Sequence, residues 1–66
     1  MQPVDMGDHN RREVLKCLEA AGPEGLTTPL VCIRLSLSDR TVLEHIRALR
    51  RDKKVERKGN RWVRVA

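Results

Sequence analysis

The residues with the most chemistry to offer in this chain of 66 are its cations, and they are unevenly spread. Residues 40–66 hold ten of the 14 Lys and Arg against three carboxylates, a net of +7, while residues 1–39 carry four basic and six acidic side chains, a net of −2. A merely soluble surface intersperses its charges. A basic half on a small domain is the footprint of a polyanion binder.

Other chemistries find less support. The two cysteines, Cys17 and Cys32, and the two histidines, His9 and His45, include no pair at the short spacing of a structural metal site. No metal is expected. The cysteines sit among apolar residues at helical spacing and read as small core residues of a reducing compartment. No nucleophile–base pair and no phosphate loop is present, so no catalytic residue, cofactor or small-molecule ligand is expected, and the reading is not an enzyme. With one Trp and no Phe or Tyr, the chain lacks the aromatic platforms on which single strands stack. It shows no apolar run of membrane-spanning length and no signal peptide, which makes a cytoplasmic protein the expectation, nucleoid-associated in a bacterium or phage.

The elements that must position the cations follow from pattern. A chain this short buries only about 60% of its unfolded surface, so its 39% of apolar residues must pack into one core. Residues 1–7 read as a flexible arm and 8–66 as one domain. A first helix starts near Asp8 or Asn10, with Asn10 and Glu13 spaced as in a capping box. It buries Val14, Leu15, Leu18 and Ala21, and Gly22-Pro23 stops it. Leu26-Thr27 is a short extended piece. Thr28 caps a second helix, Pro29 to Leu35, whose first position is the proline. Ser36-Leu37 turns the chain, and Ser38 caps a third helix with Asp39 in its first turn. That helix buries Val42, Leu43, Ile46 and Leu49 and ends near Asp52. Lys54 to Lys58 is a strand, Gly59-Asn60 a two-residue hairpin turn, and Arg61 to Val65 the return strand. Period-2 alternation sets Val63 and Val65 on one face, Trp62 and Arg64 on the other.

From Thr27 to Val65, about 60% of the chain, this order resembles a winged helix-turn-helix domain. Cys32 and Ser36 stand where that motif needs small residues, and Val31, Leu35, Leu37 and Val42 join its two helices. The run from Thr41 to Leu49 looks like a recognition helix. Residues 54–57 and 61–65 look like the wing. The resemblance implies an α+β fold, a three-helix core followed by a two-stranded antiparallel wing, and a small transcriptional regulator bound to double-stranded DNA.

The residues themselves give a parallel argument. At about 100° per residue, the face opposite the apolar stripe of the third helix carries Arg40, Thr41, Glu44, Arg47 and Arg51. A major groove admits such a helix, whose N-terminal half meets the base edges. Ser38, Arg40, Thr41 and Glu44 are therefore the base readers, Arg47 is shared between base and phosphate, and Arg51 lies nearer the backbone. Arg57, Lys58, Asn60 and Arg61 surround the hairpin turn, where they suit a phosphate backbone or a minor groove.

Two departures from the motif stand out. Ser36 occupies a turn position usually held by Gly. Leu30 and Ile33 fall where polar residues are usual, making the second helix apolar almost all round, so it must be covered on more than one side. Either the arm, with Val4 and Met6, covers them, or they contact a second copy or another protein. An adaptor binding a protein through Leu30, Ile33 and Trp62 is the competing reading.

Overall fold

The computed structural model describes residues 6–65. Its order is α1 (Met6–Ala21), a single 3-10 turn (Gly22–Glu24), α2 (Thr28–Leu35), α3 (Asp39–Arg51), β1 (Val55–Lys58) and β2 (Arg61–Arg64). Three helices followed by a two-stranded antiparallel hairpin make the α+β layout of a winged helix-turn-helix.

Helix α1 begins at Met6, ahead of the expected start. Asn10 is therefore inside the helix, and its capping box does not form. Asp8 serves the first turn instead, where the helix dipole favours an anion, and it pairs with Arg12 one turn on. Of the expected arm, residues 6 and 7 belong to α1, and residues 1–5, with Val4, lie outside the described residues. Val14 and Leu18 are fully buried, with Leu15, Cys17 and Ala21 packed beside them.

Helix α2 starts at Thr28, one residue before expectation, with Thr27 as its cap residue but no side-chain cap bond. The Thr28 hydroxyl is used elsewhere: it accepts a hydrogen bond from Trp62 Nε1 at 3.2 Å. Ser36 closes α2 in the left-handed conformation (φ 55°, ψ 42°), the strained geometry that its place in the motif implied.

Helix α3 is capped as expected: the Thr41 amide donates to Ser38 Oγ at 3.2 Å. Its buried residues are Val42, His45, Ile46 and Leu49. Leu43, expected in the core, is only half-buried, and His45 takes its place. The spacing of i, i+3, i+4 and i+7 centres the stripe between Val42 and Leu49, which leaves Leu43 on its flank. At the far end the Lys54 amide reaches the Leu49 carbonyl (2.9 Å) and the Lys53 amide the Arg50 carbonyl (3.0 Å). This is a Schellman motif with Lys53 left-handed at φ 61°.

Strand β1 starts at Val55 rather than Lys54 and pairs with β2 in the register Val55↔Arg64, Glu56↔Val63, Arg57↔Trp62, Lys58↔Arg61. Gly59 alone in the turn has positive φ (66°), as a type II′ hairpin requires. A third, one-residue strand completes the sheet: Leu26 and Trp62 exchange both backbone hydrogen bonds, at 3.0 and 2.8 Å. Burial does not follow the two faces of β2. Val63 is buried and Val65 exposed, while Trp62, on the other face, packs on the core. The segment before α2 wraps the hairpin and covers Val63: a Cβ on Gly25 would stand 2.6 Å from Val63 Cγ1.

Candidate nucleic-acid interface

Ser38, by capping α3, fixes where the exposed face of that helix begins. Arg40, Glu44, Arg47 and Arg51 all lie on it and are exposed. Arg40 and Glu44, one turn apart, pair at 3.5 Å with side chains 91% and 62% exposed, a contact that water screens and that is worth little to the fold. Thr41 is half-buried. Its hydroxyl accepts a bond from Ser38 Oγ (2.9 Å), so it stands less free than the arginines around it.

The hairpin brings the second group together. Arg57, Lys58, Asn60 and Arg61 are all exposed around the Gly59-Asn60 turn. Arg57 Nε donates to the Gly59 carbonyl at 2.8 Å and braces the tip. Lys58 and Arg61 stand directly opposite each other across the strands. Like charges in that position oppose the pairing, so the tip spends stability on holding two cations together.

Ion pairs are unevenly spread over the molecule. On α1, Arg12 pairs with Asp8 and Lys16 with Glu13. On β2, Arg64 pairs with Glu19 of α1. Among the described residues Arg47, Arg51, Lys58 and Arg61 form no ion pair at all.

The helix-turn-helix junction is held by more than apolar packing. The Cys32 thiol donates to Asp39 Oδ1 at 3.0 Å, tying α2 to the first turn of α3. Desolvation and that hydrogen bond push the thiol up to about 11, and burial also raises Cys17. Both cysteines are free and suppressed as nucleophiles. Among the described residues no group of three or more His, Cys, Asp or Glu is arranged to hold a metal ion.

His45 and Arg50 were not legible as parts of this region. His45 is buried beside Arg11 of α1, and among the described residues its Nδ1 has no hydrogen-bond partner. Burial, and then the Arg11 charge, lower its pKa, with Glu44 acting weakly the other way. Arg50 lies with its guanidinium 5.9 Å above the centre of the Trp62 ring. Trp62 itself, half-buried and bonded to Thr28, makes its contacts within the chain. Leu30 and Ile33 differ from it: they are 45% and 74% exposed on α2.

No family model, curated protein or solved structure matches this chain. Among the described residues no helix is long and apolar enough to cross a membrane.

Proposed function

We propose that the protein is a cytoplasmic, sequence-specific double-stranded DNA-binding protein of the winged helix-turn-helix type, acting as a small transcriptional regulator by occlusion or recruitment at a promoter. Helix α3 enters the major groove, and the wing tip, residues 57–61, lies on the backbone or in the minor groove. The observation that carries the reading is the unpaired charge of Arg47, Arg51, Lys58 and Arg61, gathered on the exposed face of α3 and the wing tip. Glu44 argues for sequence reading over backbone binding alone. A carboxylate in the middle of the face repels phosphate but accepts a hydrogen bond from cytosine N4, while Arg40 beside it matches the two acceptors of guanine. No catalytic step and no cofactor enter this reading.

The test is duplex affinity measured against salt. Contacts from about five cations predict a log–log slope of about −4.5, a loss of several hundredfold between 50 and 200 mM salt. Arg57→Ala and Arg61→Ala each flatten the slope by about 0.9. Arg40→Ala instead relaxes choice at one or two base pairs, worth about 1–3 kcal/mol of discrimination. No binding to random duplex at low salt overturns the reading.

The exposure of Leu30 and Ile33 favours a second reading, an adaptor that holds a protein or a second copy of itself on α2. In that case Ile33→Glu leaves the fold intact and abolishes association while duplex binding stays weak.

A further inference from the structure

An open groove of about 430 Å³ runs between the end of α3 and β1, lined by Arg50, Lys53, Val55, Glu56, Arg57 and Val65. Three cations, Arg50 of α3, Lys53 of the following turn and Arg57 of β1, meet there with one carboxylate, and among the described residues none of the three is in an ion pair. The groove beside the other flank of α3 differs: Arg11, Arg12 and Lys54 share it with both Asp8 and Asp52.

Two features show that the basic groove is built rather than fortuitous. Arg50 stands over Trp62 at 5.9 Å from the ring centre, and that ring is fixed by the Thr28 hydroxyl and its backbone paired with Leu26. A cation–π contact uses none of the guanidinium's N–H donors, which remain in the planar fork that fits a phosphate. Lys53 occupies the left-handed position of the Schellman motif, where glycine would be free of strain. The chain tolerates that strain at a cationic residue that lines the groove.

We propose that this groove is a phosphate seat, occupied in the complex by a DNA backbone phosphodiester next to the α3 site. Arg50, Lys53 and Arg57 contact it, and Trp62 and Thr28 act as positioning residues for Arg50. The inference rests on the DNA-binding reading and adds to it a clamp between helix and wing.

The experiment measures duplex affinity against salt, with urea unfolding of each variant alongside. Arg50→Ala flattens the slope by about 0.9. Lys53→Gly carries the sharper signature, because it removes a charge and relieves the left-handed strain together. It flattens the slope by a similar amount while raising the urea midpoint, a pair of opposite signs that a purely structural role does not produce. Thr28→Val lowers affinity about threefold by releasing the indole, and Thr28→Ser restores it. Unchanged slopes in both Arg50→Ala and Lys53→Gly, with Arg61→Ala still flattening, overturn the seat and leave DNA binding standing. A wild-type protein that fails to bind duplex at low salt overturns both.

Discussion

Replacing Gly25 with alanine strikes the point where the wing is fastened to the helical core. Gly25 adopts φ 69° and ψ −171°, a region open essentially to glycine alone, and a side chain forced into it costs about 1–3 kcal/mol. The added Cβ also overlaps the Trp62 carbonyl oxygen and stands 2.6 Å from Val63 Cγ1. Both contacts are on β2, so relief means moving the hairpin. That puts at risk the two Leu26–Trp62 hydrogen bonds, worth about 0.5–1.5 kcal/mol each. Together these effects amount to about 2–6 kcal/mol. At about 0.05–0.15 kcal/mol per residue the whole domain holds only about 3–10 kcal/mol. Gly25→Ala therefore removes about half of the stability and lowers the melting temperature by at least about 8 °C. The control is Gly59→Ala. Gly59 has a similar φ of 66° but nothing within 4 Å of a new Cβ, so it loses only the conformational part, about 1–2 kcal/mol. Urea unfolding followed by circular dichroism measures both. Equal losses refute the reasoning, because they leave no cost to the close approach of Gly25 and β2.

Two further outcomes follow from the helix-turn-helix. Ser36→Gly relieves a left-handed serine at φ 55° and raises stability by about 0.5–1 kcal/mol after glycine's own entropic cost, read as a higher urea midpoint. The depressed His45 pKa makes the fold acid-sensitive: the unfolded chain, near the ordinary 6.5, takes up its proton before the folded one does. This contribution is complete above pH 6.5 and drains as pH falls through 6.5 towards the folded value, so urea midpoints decline between pH 7.5 and 5.5, and His45→Leu flattens that decline.

Local signals made much of this fold legible. Ser38 before an apolar stripe gave the start of α3, Gly59-Asn60 between two β-rich runs gave the hairpin, and Gly22-Pro23 gave the end of α1. The exposed cations of α3 and the wing tip were legible for the same reason, since period and turn place them without reference to the rest of the chain. What escaped depends on pairs far apart in sequence. The Thr28 hydroxyl looked like a helix cap because nothing nearby announces an indole 34 residues on. Period 2 put Val63 and Val65 on one face, but only the approach of Gly25 to Val63 sets the buried one apart from the exposed one. His45 looked like a polar flank because its cover comes from α1, and a sequence stripe built from apolar letters omits a buried imidazole. Arg50 belonged to no stripe, and only the docked ring beneath it distinguishes it from Arg51.

The seating of Trp62 has an optical consequence. The chain contains no Tyr or Phe and no second Trp, so its intrinsic ultraviolet emission arises from one indole. That indole touches the start of α2 through Thr28, pairs through its backbone with Leu26, and lies beneath a guanidinium from the last turn of α3. A ligand that draws Arg50 off the ring, or an excursion of the wing away from the helices, changes the surroundings of that single emitter and of no other. The native protein thus carries an unlabelled fluorescent reporter at the junction between helix and wing.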